Sequence, residues 1–220
     1  MLNIVDNFSK EYDVTFNHKK SKLLFYETNE NEIVNKNDTI VFDNSIIHSV
    51  EEDKHLGNII GKNVKNKKIL SGISNFYGRM NMLIAQFKNA FPWIKYKLFK
   101  SFCMPLYGMQ LWNLSGREIN SFYTAWRKCI RRLFNIPSRT HNVLLNIICE
   151  DFPITMQLHN RFLKFIHSVI TNDNYCIQLC GKLVMNGSHS TACDNLNYIC
   201  NSYTIDKVPT TKLKNIWYNK

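Results

Sequence analysis

The apolar positions of this chain change their period once, near residue 60. Before that point the pattern is mixed. Leu2, Val5, Phe8 and Tyr12 recur at steps of three and four, which predicts a short opening amphipathic helix. Strand-like pieces follow at Val14–Phe16, Leu23–Tyr26, Thr39–Phe42, Ser45–Val50 and Leu56–Ile60. Asp43-Asn44 is a turn signal that predicts a hairpin between two of them. The stretch "ETNENEIVNKND" is too polar for a core and reads as a loop.

From Asn63 onward the period is helical. Ile69, Ile73, Phe76, Met80, Leu83 and Phe87 form one stripe. Pro92 stands where a second helix would start, carrying Trp93, Tyr96, Phe99 and Cys103 with Ile94, Leu98 and Phe102. A third helix is expected after "SGRE", with Ser115 as cap and Glu118 completing a capping box. Its stripe is Ile119, Phe122, Tyr123, Trp126, Ile130, Leu133 and Phe134. Further helices are expected at Asn142–Cys149, Ile154–Ile170, Tyr175–Met185, Ala192–Tyr203 and Lys212–Tyr218. The predicted class is α+β, mainly α: a small antiparallel β part, then a helical remainder. Trp93, Trp112 and Trp126 fall on stripes expected to be buried, so they read as core rather than as stacking platforms for bases.

Composition narrows the class. With 220 residues and 45% hydrophobic content there is material for one sizeable core, with or without a small second lobe. Gly and Pro number only 8 and 5, and no Ser- or Gly-rich linker or internal repeat is present. The longest uncharged run, Ser101 to Gly116, is broken by Pro105 and Gly108, so no membrane partner is expected. The N-terminus carries acids early and lacks a cleavage-site pattern, which reads against a secretion signal. Seven cysteines are then expected as reduced thiols, in the nucleus or cytoplasm.

Charge changes the picture most. The net charge is +11, unevenly spread. Residues 1–57 hold 6 Lys/Arg and 11 Asp/Glu, a net −5. Residues 58–220 hold 22 and 6, a net +16. Lys62 to Arg139 holds 15 basic residues and one acid, Glu118. Such a switch predicts a structural boundary near Gly57 and a polyanionic partner for the second part, most simply nucleic acid. A solvated lysine-rich surface is the plain alternative. On the third helix, Arg127, Lys128, Arg131 and Arg132 centre opposite the apolar stripe with no acid at i±4. They read as a phosphate-backbone contact, against the alternative of an ordinary exposed face. Lys95, Lys97 and Lys100 on the preceding helix extend the candidate surface.

Several landmarks occur in an order that resembles a known family. Phe16-Asn17-His18-Lys19-Lys20-Ser21, ahead of an apolar strand ending in Phe25, is similar to the "FN-x-x-K-[ST]" segment of reverse transcriptases from non-LTR (LINE-type) retrotransposons. His55-Leu56-Gly57 resembles their "YLG" turn. Leu106-Tyr107-Gly108-Met109-Gln110-Leu111-Trp112 resembles the thumb's "LYG-x-x-x-W". "RKCIRRLFNIPSRTHNVLL" and then "HNRFLKF", ending at Phe165, resemble the sequel. The likeness covers Leu2 to about Ser168 and thins beyond Asn172.

The resemblance implies an end-of-palm remnant at 1–61, a basic helical thumb at 62–139 and a C-terminal helical region at 140–220. It places Lys20 where the family holds a lysine near the incoming triphosphate, a role that needs the full palm. A solvated strand-entry lysine is the plain reading beside it. The family's metal-binding aspartates come as an aromatic-x-Asp-Asp hairpin, and no Asp-Asp pair occurs in this sequence. The resemblance therefore implies a fragment with no cofactor of its own, whose intact parent would use Mg²⁺. It would hold an RNA–DNA hybrid or duplex and would not polymerise alone. Its N-terminal polymerase portion would be a partner within a longer polyprotein. The alternative is a helical module that binds nucleic acid or protein, host-used or a relic.

Other chemistry is thin. Cys176, Cys180, His189 and Cys193 have the donor types of a zinc set, but the first pair lies in a helical, apolar pattern where cysteine is also a common core residue. No phosphate-loop, nucleophile-elbow or H-E-x-x-H motif is present.

Overall fold

The computed structural model describes residues 2–17, 19–24, 39–42, 45–61, 65–187 and 190–204. They fall into two units, Met1–Lys67 and Lys68–Lys220. The architecture is α+β and mainly α.

The first unit opens with α1 (Leu2–Glu11), as the three- and four-residue steps predict. Phe8 and Tyr12 stack at 4.6 Å on its exposed side. Two antiparallel hairpins follow: β1 (Thr39–Phe42) with β2 (Ser45–His48), and β3 (Glu52–His55) with β4 (Asn58–Gly61). The first hairpin pairs Phe42 with Ser45, on either side of the expected turn, whose two residues lie outside the described set. Val14–Phe16 is not a strand. It leads into a turn in which Asn17 accepts from the Lys20 and Ser21 amides and from the Ser21 hydroxyl. Leu23 makes one parallel bridge to Ser49; residues 25–38, including the expected loop, lie outside the described set.

Strand β3 has no apolar alternation, being Glu-Asp-Lys-His. Backbone pairing to β4 forms it, through a two-residue turn at Leu56-Gly57. Both turn residues have positive φ, 47° and 82°, the type I′ pattern that matches strand twist. Glycine takes that conformation freely, whereas Leu56, 74% exposed, gains nothing from burial to offset a strain of about 1 kcal/mol.

The second unit contains α2 (Lys65–Gln86, from Lys68 onward), α3 (Pro92–Leu98), α4 (Ile119–Phe134), α5 (Asn142–Cys149), α6 (Ile154–Ile170), α7 (Tyr175–Met185) and α8 (Thr191–Tyr203). The bounds of α5, α6 and α7 coincide with the sequence expectation, and α8 starts one residue earlier. The expected helix at 212–218 lies outside the described residues. One hydrophobic core runs from Ile69 to Cys200, so segments expected on either side of residue 139 share it. Phe76, Phe99, Phe122 and Phe162 are fully buried at its centre, with Phe76 edge-on to Phe99 and Phe122.

Helix α3 passes into a π-type turn at Phe99–Cys103, where the Met104 amide reaches back to the Phe99 carbonyl. The chain then crosses "MPLYGMQLW". Gly108 takes φ 73° to open a short 3₁₀ turn, Met109–Leu111, and Leu106, Met109 and Trp112 are buried. Tyr107 stays 67% exposed. Three side chains from distant elements hold this irregular stretch. Arg79 of α2 donates to the Pro105 carbonyl at 2.7 Å, and Arg161 of α6 to the Met104 carbonyl at 2.6 Å. Asn195 of α8, fully buried, accepts from the Leu114 amide and donates to the Trp112 carbonyl, each at 2.7 Å. The Trp112 ring lies so close to Gly72 of α2 that a Cβ there would overlap it.

Further expectations need correction. Ser115 does not cap α4: its amide and hydroxyl both donate to Asn113 Oδ1, so 113–117 stays bent and Glu118 stands at the helix start without a side-chain cap bond. Trp112 and Trp126 are core, but Trp93 is 43% exposed and only edges onto Tyr96 and Phe134. Phe87, the last stripe residue expected on α2, is exposed beyond the helix end at Gln86.

Candidate nucleic-acid interface

The geometry of α4 follows from its two faces. Ile119, Phe122, Tyr123, Trp126, Ile130 and Leu133 are buried, which turns the opposite side outward. Asn135 then takes the left-handed conformation, φ 52°, that asparagine tolerates better than most residues. Its amide and that of Ile136 bond back to the Arg132 and Arg131 carbonyls, a Schellman stop. The chain reverses, turns again where the Thr140 amide meets the Pro137 carbonyl, and enters α5 with His141 Nδ1 accepting from the Val143 amide. Segment 136–142 is thereby laid beside the outward face of α4.

Between them lies an open groove of about 470 Å³. Thr124, Arg127, Lys128, Arg131 and Arg132 line it from α4, and Ile136, Ser138 and Asn142 from the returning segment. All four cations singled out from the sequence therefore meet in one concavity, with no carboxylate among the lining residues. Arg131 Nη2 donates to the Thr140 carbonyl at 2.8 Å and to Asn142 Oδ1 at 2.9 Å. Arg132 Nη1 donates to Asn81 Oδ1 of α2 at 2.7 Å. These acceptors are neutral, so both guanidinium charges remain uncompensated. The groove can therefore attract and hydrogen-bond anionic oxygens, as phosphodiesters present them.

Lys95 and Lys97 of α3 and Lys100 of the π-type turn do not line this groove. Lys95 donates to the Lys88 carbonyl, and Lys97 is exposed. Lys100 is ion-paired with Asp151 at 2.7 Å and sits 5.7 Å over the Tyr96 ring, which compensates its charge. The same Asp151 oxygen accepts from the Tyr96 hydroxyl at 3.1 Å, so the group ties α3 to the end of α5. Among the residues of the resemblance, Asn17 organises the 17–21 turn and Lys20 is exposed on it. Leu56 and Gly57 are the hairpin turn, Gly108 and Trp112 shape the irregular 104–112 crossing, and Tyr107 is exposed on it.

Of the candidate zinc donors, Cys176 and Cys180 are exposed on α7, Cys193 is buried on α8, and His189 lies outside the described residues. Among the described residues no three His, Cys, Asp or Glu side chains gather as a ligand set. Burial pushes the thiols of Cys103 and Cys149 up to about 11 and that of Cys129 to about 12, the opposite of what an activated nucleophile needs.

Two polar residues escape sequence reading. Asn195 resembles its neighbours in "DNLNYICN" and only the fold reveals its burial. His159 is buried on α6, edge-on to Tyr198 and Tyr203, with Nδ1 3.0 Å from the Tyr203 hydroxyl. Its Nε2 has no partner among the described residues. Burial lowers its pKa below 6.5, so the folded state prefers the neutral ring while the unfolded chain binds a proton sooner. His159's contribution is thus present above about pH 6.5 and is lost as pH falls toward the depressed folded value. Urea unfolding at pH 7.5 and 5.5 is expected to show a smaller acid-induced loss in His159→Phe than in wild type. An equal loss in both would assign the effect to other groups.

Among the described residues no helix is long and apolar enough to cross a membrane. No family model, curated protein or solved structure matches this chain.

Proposed function

We propose that the second unit grips duplex nucleic acid through its phosphate backbone, as the thumb of a non-LTR reverse transcriptase does, and that the chain corresponds to the end-of-palm, thumb and following helical portion of such an enzyme. The observation that carries the binding reading is the groove along α4, where four cations converge with no acid among its lining. Its lining contains no aromatic side chain, so stacking on unpaired bases has no platform there. Cations, hydroxyls and an amide suit backbone oxygens and carry no base readout. Binding is therefore largely independent of sequence and favours duplex or RNA–DNA hybrid over single strand. A hybrid would be recognised by its A-like shape.

On this reading the chain holds nucleic acid and leaves polymer chemistry to aspartates it does not carry. The first unit, acidic overall, is the palm-edge remnant, and the Lys20 turn belongs to a triphosphate site that the rest of a palm would complete. A helical binding module without polymerase context would share the groove but lack any preference for hybrid over DNA duplex. Equilibrium binding to short duplex, hybrid and single-stranded probes across a salt series tests the proposal.

A further inference from the structure

Resting on the nucleic-acid reading of the groove, we infer that Asn81 and Asn142 are positioning residues, uncharged tethers that fix Arg132 and Arg131 for phosphodiester oxygens. Within the groove, the two arginines are held differently from the other two cations. Arg132 is anchored from α2 by Asn81 Oδ1, and Arg131 from the start of α5 by Asn142 Oδ1 and the Thr140 carbonyl. Arg127 and Lys128 make no hydrogen bond or ion pair among the described residues.

The chemistry of the anchor decides what the arginine can do. Lys100, anchored by the carboxylate of Asp151, has its charge compensated in place. An amide oxygen also orients a guanidinium, less strongly than a carboxylate, and takes no charge from it. A free arginine must surrender rotamer freedom when it meets a phosphate, and a tethered one has surrendered it on folding. The tethers therefore raise affinity without adding a positive charge. Asn81 is exposed on α2, so its replacement leaves the core untouched. Alanine there also favours the helix.

The test is fluorescence anisotropy of the full chain with a short RNA–DNA hybrid, over a range of salt concentrations, for wild type, Asn81→Ala and Asn81→Asp. Asn81→Ala is expected to bind about three- to tenfold more weakly at every salt concentration. Its slope of log affinity against log salt stays at the wild-type value, because the charge count is unchanged, and its Tm does not fall. Asn81→Asp adds a carboxylate against Arg132, and its slope falls in magnitude by about 0.9, one phosphate's worth. Wild-type affinity in Asn81→Ala would overturn the tether while leaving the groove reading intact. If the wild-type chain shows no salt-dependent binding, the groove reading itself fails, and the tether with it.

Discussion

Reversing Arg127, Lys128, Arg131 and Arg132 together to glutamate is expected to weaken duplex binding by at least about a thousandfold near 50 mM salt. The four side chains line one groove, so reversal replaces four attractive contacts with four repulsive ones at the same place. The core face of α4 is untouched, and glutamate is a good helix former. The structural cost is confined to the lost bonds to Thr140, Asn142 and Asn81 and to placing acids in the last helical turn, about 1 kcal/mol for the latter. A glutamine quadruple variant separates charge from structure: it removes the attraction without adding repulsion and should fall between wild type and the glutamate set. Reversing Lys95, Lys97 and Lys100 instead should have a much smaller effect, since these lie outside the groove and Lys100 is already paired. Affinity surviving the α4 reversal at low salt would remove the interface from this face.

The largest effect on stability is expected from Asn195→Ala, about 3 kcal/mol by urea unfolding. The side chain is fully buried and its amide bridges both sides of one peptide stretch, accepting from Leu114 and donating to Trp112. Truncation leaves a backbone N–H and a backbone C=O buried without their side-chain partner. Trp112 packs 5.3 Å from Phe122 and against Gly72, so loosening its carbonyl loosens the meeting of α2, α4 and α8. Asn195→Asp should be no better, because it keeps the acceptor, loses the donor and buries a charge. A loss below about 1 kcal/mol would mean that the 112–114 segment finds other partners when the amide is gone.

These cases show why some of the molecule is legible in its residues and some is not. The long helix α6 is legible because its apolar positions at a period of 3.6 are the buried ones, Ile154, Leu158, Phe162 and Ile166, and its bounds match the expectation to the residue. The cation face of α4 is legible for the same reason, since whatever opposes a buried stripe faces out. The groove is not, because its second wall depends on Asn135 taking a left-handed conformation and returning the chain along α4. Strand β3 is hidden because Glu52 to His55 is set by pairing across the Leu56-Gly57 turn rather than by any apolar pattern of its own. The Ser115 capping box fails because Asn113, two residues back, captures the same hydroxyl. Asn195 and Arg161 satisfy backbone groups in an irregular stretch, a demand that arises only once the chain is folded.

The central claim is that the α4 groove neutralises phosphates of a duplex, and the salt dependence of binding reads that number most directly. Four cations engaging four phosphates predict a slope of log affinity against log salt of about −3.6 on duplex, an affinity loss of roughly a hundredfold between 50 and 200 mM salt. The glutamate quadruple variant should lose that dependence together with its affinity. A wild-type affinity that is flat across the series, or a slope that survives the reversal unchanged, would contradict the account.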